Sequence, residues 1–345
     1  MTSVRSVTVA VALAVAACSS SAWSGPTLAS YFSSEPGLQA AGVKIVPVHT
    51  PKGDFNVWTR RVGHNPRIRV LTLHGGPGAT HEYFEALEND FGAAGIELIY
   101  YDQLGSAFSD QPSDPSLWTI DRFVDEVEQV RVALGLDKDN FYLLGHSWGG
   151  ILAVEYALRH GGHIKGLIIS NMMMSLPDYN HYAENVLAKQ IPPAVLEEIK
   201  AIEARGDYDS PRYMELLMPN FYHAHLCRLD VWPDAVNRTF ARLNKQIYVP
   251  MQGPSEFRAS GLLERWDRKA ALHKLAMPTL VIGAAHDTMD PAHMRWISTQ
   301  VPHGSFLFCP NGSHLAMWDD QPHYIRGLIA FLRAVDDGAK SVELE

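Results

Sequence analysis

From about Gly42 onward the apolar positions switch between two periods. Val43–Val48 and Phe55–Val62 read as strands, and Ile68–Leu73 and Ile96–Tyr101 are short apolar runs ending at a Gly/Pro-rich turn and at Asp102. Ile120–Leu134 instead places Phe123, Val124, Val127, Val130 and Leu134 at helical spacing and stops at Gly135. Phe141–Leu144 then predicts a strand, Ile151–Arg159 a helix and Leu167–Ser170 a strand. Unbroken apolar runs alternating with helices imply an α/β fold whose mostly parallel sheet is buried on both faces.

The rhythm breaks after Asn171. Up to about Leu272 the pattern predicts helices only, over Tyr182–Lys189, Ala194–Ala204, Pro211–Leu226 (interrupted at Pro219) and Ala235–Ile247. Strand–helix alternation returns with Thr279–Gly283, Pro291–Gln300, Ser305–Phe308 and Tyr324–Val335. The economical division is an α/β core over 42–170 and 273–345, interrupted by a helical cap over 171–272.

The first residues follow neither period. One positive charge, Arg5, precedes the apolar run Val7–Cys18, and a serine-rich tract follows. Residues 1–17 are therefore expected to be a signal peptide and 18–41 a linker. Val15-Ala16-Ala17-Cys18 resembles a bacterial lipobox, which implies export to the periplasm or a membrane tether through a lipidated Cys18. Ordinary cleavage near Ala22 is the alternative.

Composition narrows the chemistry. The 345 residues are 46% hydrophobic and 19% charged, with a net charge of 29 − 38 = −9. Excess acid argues against a nucleic-acid partner. Three cysteines (Cys18, Cys227, Cys309) are too few for a disulfide scaffold or a four-cysteine zinc site. No nucleotide fingerprint occurs, so no cofactor is expected. His223-Ala-His225-Leu-Cys227 resembles a metal cluster, but helical residues two apart do not share a face, and no metal is expected there. The run Met172–Met174 and the aromatics Tyr179, Tyr182, Phe221, Tyr222 and Trp232 read first as cap packing.

Gly145-His146-Ser147-Trp148-Gly149-Gly150 matches G-x-S-x-G between a predicted strand and a predicted helix. Such a turn strains the serine and exposes its Oγ at the sheet's C-terminal edge, making Ser147 the candidate nucleophile. His74-Gly75-Gly76-Pro77-Gly78 follows a strand directly, so the N–H groups of Gly76 and Trp148 are the candidate oxyanion donors. The base and acid should follow in the order acid, then histidine. Among sixteen histidines, His314 lies after the Ser305–Phe308 strand, whereas His303 precedes it and His323 falls in the last helical region. Asp287 lies soon after Thr279–Gly283. Asp290, directly before Pro291, reads as a helix N-cap that could also face substrate.

Together these residues resemble the proline iminopeptidases of the α/β-hydrolase superfamily, from about Val43 to Leu332. The specific pieces are HGGPG at 74–78, YDQLGSAFSDQP at 101–112, GHSWGG at 145–150, GPSEF at 253–257, the acid loop at 283–291 and GSHLAMWDD at 312–320. The resemblance implies a helical cap over the site and release of N-terminal proline, or another small residue, from short peptides or amides. It also implies that cap-side acids hold the substrate's α-amino group, with Glu256 in one such position. Family members often carry a second acid after the triad aspartate; here that place is Thr288. Asp290, Glu184 or Glu215 are the candidates to compensate. The alternative function is a broad esterase or amidase on the same triad.

Overall fold

The computed structural model describes residues 42–344. The expected signal peptide and linker, with Cys18, lie outside the described residues. Eight strands form one sheet: β1 (Val43–Thr50), β2 (Gly53–Val62), β3 (Arg69–Leu73), β4 (Glu97–Asp102), β5 (Phe141–His146), β6 (Gly166–Ser170), β7 (Thr279–Ala284) and β8 (Gly304–Cys309). Their order is β1-β2-β4-β3-β5-β6-β7-β8. The β1–β2 and β2–β4 pairs are antiparallel and every other pair is parallel. β4, β5, β6 and β7 are buried at every position, as their unbroken apolar runs predict. At the edges, β1 and β8 alternate buried and open positions instead.

Helices cover both faces. α1 (Glu88–Ala94) precedes β4, α2 (Ile120–Leu134) precedes β5, and α3 (Trp148–His160) follows β5. The side chain of Thr119 accepts the Arg122 N–H at the start of α2, and Gly135 ends it in the left-handed conformation. Both are the terminators that its sequence predicts. α3 begins three residues earlier than its apolar spacing suggests, directly after Ser147. The glycines 149 and 150 weaken the helical signal there, and close packing supplies what propensity lacks.

Between β6 and β7 the named elements among the described residues are all helical. They include α4 (Leu176–Tyr182), α5 (Pro193–Arg205), α6 (Pro211–Leu217), α7 (Asp234–Ala241) and α8 (Lys245–Met251). Two junctions shape this insertion, the first at the expected interruption and the second not expected. The helix starting at Pro211 widens into a π turn over Met218–Tyr222, which accommodates Pro219. The expected helix Ala235–Ile247 is two helices, because Asn244 leaves the α region and caps α8 by accepting the Gln246 N–H. This break docks the insertion onto the core: Asn244 donates its backbone N–H to Gly78 O at 2.8 Å and its side-chain N–H to Gly105 O at 2.8 Å. α9 (Pro291–Gln300) and α10 (Gln321–Asp336) complete the core.

Candidate active site

The strand β5 runs into Ser147, which has φ 56° and ψ −128° and begins α3. A non-glycine residue at positive φ is costly and persists only where its surroundings fix it. Two glycines allow that fixing. A Cβ on Gly145 would lie 2.0 Å from Gly149 O, and one on Gly149 would lie 1.9 Å from Leu73 O. The turn is therefore pressed against β3 closely enough to exclude any side chain. Ser147 N–H donates to Ser170 O, fixing the turn against β6 as well.

The candidate oxyanion loop follows β3. A Cβ on Gly75 would sit 3.0 Å from Ser147 Cβ, so the loop lies directly beside the nucleophile. The loop is held by Gln103, from the 101–112 motif. Gln103 donates its backbone N–H to His74 Nε2 at 3.1 Å and its side-chain N–H to His74 O at 3.0 Å, and accepts the Trp148 indole N–H at 2.9 Å. His74 Nε2 is thus an acceptor, which leaves Nδ1 to donate to Gly75 O at 3.0 Å. Burial pushes His74 down to about 4, so it is neutral, as that pattern requires. Gly76 lines the cavity with Ser147. The Trp148 indole is buried, while its backbone opens α3.

His314 and Asp287 meet at 2.8 Å, through Nδ1 and Oδ1, with both side chains almost wholly buried. Every oxygen of Asp287 is engaged: Oδ1 also accepts the Met289 N–H at 3.1 Å, and Oδ2 accepts the Asn171 side-chain N–H at 2.6 Å. The Thr288 hydroxyl lies 3.3 Å from Asp287 Oδ1 and 3.2 Å from His314 Nδ1. For His314, burial works against charge, but the charge and hydrogen bond of Asp287, with the charge of Glu256, outweigh it and raise the imidazole above its usual value. The rivals are elsewhere: His323 pairs with Asp320, and His303 precedes β8.

Sequence reasoning did not single out Asn171, His146 or Tyr83. Asn171 has φ 51° at the end of β6, where its side chain reaches Asp287. His146 joins the oxyanion loop to the His314 loop. Its Nε2 lies 2.8 Å from His314 O, so Nε2 carries the proton and Nδ1 accepts from Tyr83 Oη at 3.1 Å. Tyr83 Oη in turn accepts the Gly75 N–H at 2.7 Å. Burial, reinforced by His314, pushes His146 well below the usual imidazole value, consistent with this neutral tautomer. The only sequence signal was its place inside the elbow motif.

The helical insertion grips the same loops. His314 N–H donates to His225 O, Leu315 N–H donates to Leu226 O, and His225 Nδ1–H donates to His286 O at 3.0 Å. His225 thus serves as a tie, and Cys227 is separately buried under Trp232. Met172, Met173 and Met174 are all buried in the core, as are Tyr179, Phe221 and Trp232. Tyr222 is buried in the same packing and also lines the cavity.

That cavity has a volume of about 510 Å³ and is walled by Ser147, His314, Gly76, Glu256, Tyr213, Tyr222 and Tyr248 among others. Glu256 accepts the Tyr248 hydroxyl at Oε1 at 2.7 Å, and its backbone carbonyl accepts the Tyr179 hydroxyl. Burial raises the Glu256 carboxyl above its usual range, against the opposing pull of His314 and Tyr248. Asp290 is not brought to the cavity wall. It caps α9 by accepting the Ala292 N–H at 2.9 Å, the N-cap its position before Pro291 suggested. Glu184 pairs with Arg258 at 3.4 Å and Glu215 with Arg212 at 3.5 Å, both outside the cavity lining.

The fold and this site define a serine-hydrolase architecture. The family model for the α/β hydrolase fold matches residues 68–321. The chain is 59% identical to a proline iminopeptidase of Flavobacterium johnsoniae, over 85% of this chain and 99% of that protein. It is 58% identical to a proline iminopeptidase of Elizabethkingia meningoseptica, over 85% and 98%. Among solved structures it superimposes on the proline iminopeptidase of Mycobacterium smegmatis with a TM-score of 0.76 and 28% identity, covering 86% and 99% of the two chains. The chain belongs to the proline iminopeptidase family of α/β hydrolases.

Proposed function

We propose that this protein is a serine aminopeptidase that releases N-terminal proline, or another small residue, from short peptides or amides through an acyl-enzyme. The observation that carries the reading is a half-enclosed carboxylate, Glu256, sharing one cavity with Ser147 and His314. An enzyme that cuts after the first residue must locate a charged amine. Burying an ammonium without a partner costs several kcal/mol, about what one facing carboxylate offsets. A general esterase needs no such group, so the esterase alternative leaves Glu256 unexplained.

In this mechanism His314 Nε2 takes the Ser147 proton as Oγ attacks the prolyl carbonyl. Asp287 holds the imidazole through Nδ1 and stabilises the imidazolium. The tetrahedral oxyanion is met by the N–H groups of Gly76 and Trp148; each such donor is worth ~3 kcal/mol in the transition state. His314 then protonates the leaving amine, and the acyl-enzyme remains on Ser147. A water, deprotonated by the same imidazole, attacks the ester and frees the amino acid. Throughout, Glu256 faces the α-amino group and sets the distance from chain terminus to scissile bond.

Rates on aminoacyl-naphthylamides with and without a free amine test the reading. A strong preference for the free prolyl amine is expected; equal rates on the N-acetylated compound would refute it. We further propose that residues 1–17 direct export and that Cys18 is lipidated, placing the enzyme in the bacterial periplasm as a tethered lipoprotein. The sequence pattern of positive charge, apolar run and Ala-Ala-Cys supports this. Fatty-acid labelling that persists in Cys18→Ser would contradict it.

A further inference from the structure

The helix that starts at the nucleophile ends in a second constellation. α3 closes at His160, and the turn Gly161–His163 carries a second imidazole three residues on. Glu128, on α2, faces both. One ligand atom from each residue lies within 4.8 Å of the others. We propose that Glu128, His160 and His163 bind one divalent transition-metal ion of the zinc class, clamping α2 to the end of α3.

Several independent features point to a ligand. Glu128 Oε2 and His163 Nδ1 are 3.5 Å apart. Two donors on a tetrahedral ion with bonds of ~2.0–2.1 Å stand ~3.4 Å apart, so this edge is already close to the required length. The His160 and His163 rings are nearly parallel, at 16° with centroids 5.8 Å apart. His163 Nδ1 is itself buried yet has no hydrogen-bond partner, an orphan that a metal bond would satisfy. The carboxylate is also held in place. Glu128 accepts Tyr156 Oη at 2.6 Å, Arg131 Nε at 2.8 Å and Arg131 Nη2 at 2.6 Å. Such supporting bonds orient a ligating carboxylate.

The chemistry of the set selects the ion. Two imidazoles with one carboxylate suit zinc and its neighbours, whereas calcium and magnesium want oxygen shells. The Glu128 and His163 side chains are 24% and 44% exposed, which leaves a route in and a fourth position for water. Arg131 counts against a cation, and the negative end of α3 counts in favour. Since Ser147 is at the other end of the helix, ~20 Å away, the ion takes no part in hydrolysis. It stabilises the folded state by binding it and not the unfolded chain.

The test is zinc binding by the untagged full chain after chelator treatment, measured by calorimetry and by the shift in thermal midpoint. One equivalent should bind, and the midpoint should rise with free zinc. His160→Gln combined with His163→Gln should weaken binding at least ~10-fold, a minimum set by the effect of losing merely supporting groups. It should also abolish the midpoint shift while leaving metal-free hydrolysis unchanged. Failure of the wild-type chain to bind zinc would overturn the proposal. So would equal binding by the double variant, which would place the ion elsewhere.

Discussion

Asn171 donates its side-chain N–H to Asp287 Oδ2 at 2.6 Å, and does so from a left-handed backbone at the end of β6. The amide is oriented in turn, because Ser170 Oγ donates to Asn171 Oδ1 at 2.7 Å and accepts from Tyr324 Oη at 2.9 Å. This leaves Asp287 a single free role, that of accepting from His314. Asn171→Ala removes a donor from a wholly buried carboxylate, an event worth ~1–3 kcal/mol. We expect kcat/KM to fall about 10- to 100-fold, with a smaller loss of stability. Wild-type kinetics in that variant would show that Asp287 needs no such support.

Two glycine substitutions contrast the packed elbow with an open helix position. Gly149→Ala would place a methyl 1.9 Å from Leu73 O, which would force the start of α3 off β3 and disrupt the turn that carries Ser147. It should leave little folded protein. Gly92, inside α1, has nothing within 4 Å of the added methyl, so Gly92→Ala should stabilise by ~0.5–1 kcal/mol. Urea midpoints of the two variants would check both signs.

Much of this architecture is legible in the chain for physical reasons. Strands β4 to β7 are buried on both faces, so each is an unbroken apolar run between turns. Ser147 and Asp287 each follow such a run, and His314 follows the edge strand β8, so their loops gather at one end of the sheet. Asn171 is not legible, because a polar residue after a strand reads as an ordinary loop start and its positive φ leaves no mark in composition. The break at Asn244 is hidden for a similar reason: its partners, Gly78 and Gly105, are distant in sequence. His160 and His163 share a helix end visibly, but their third partner comes from another helix.

The pH dependence follows from two raised groups. His314 must be neutral to accept the serine proton, and its value lies above the ordinary imidazole. Glu256 must be ionised to hold an ammonium, and burial raises it above the ordinary carboxyl. Activity on every substrate should therefore fall as pH drops through the His314 value, reporting the base. Free-amine substrates should show an added rise in KM on the acid side as Glu256 protonates, while a simple ester should not. Identical acid limbs for amide and ester would contradict this assignment.

The two aspartates of the acid loop should separate cleanly. Asp287→Asn favours the wrong histidine tautomer and should cost ~10⁴ in kcat. Asp290→Ala removes only the cap of α9, costing ~0.5–2 kcal/mol of stability with kcat nearly unchanged. A kinetic ranking in the opposite order would mean that the acid has been misassigned.

The most direct measurement is Glu256→Gln assayed on two substrates, prolyl-naphthylamide with a free amine and p-nitrophenyl acetate. The substitution keeps the side chain's shape and removes the charge that faces the amine. Breaking one side of a desolvated charge pair costs ~2–5 kcal/mol, a loss of roughly thirtyfold or more in kcat/KM. That loss is expected on the prolyl substrate, with little change on the ester, which has no ammonium to lose. Equal losses on both would make Glu256 a structural residue, and no loss on either would contradict amine recognition at this carboxylate.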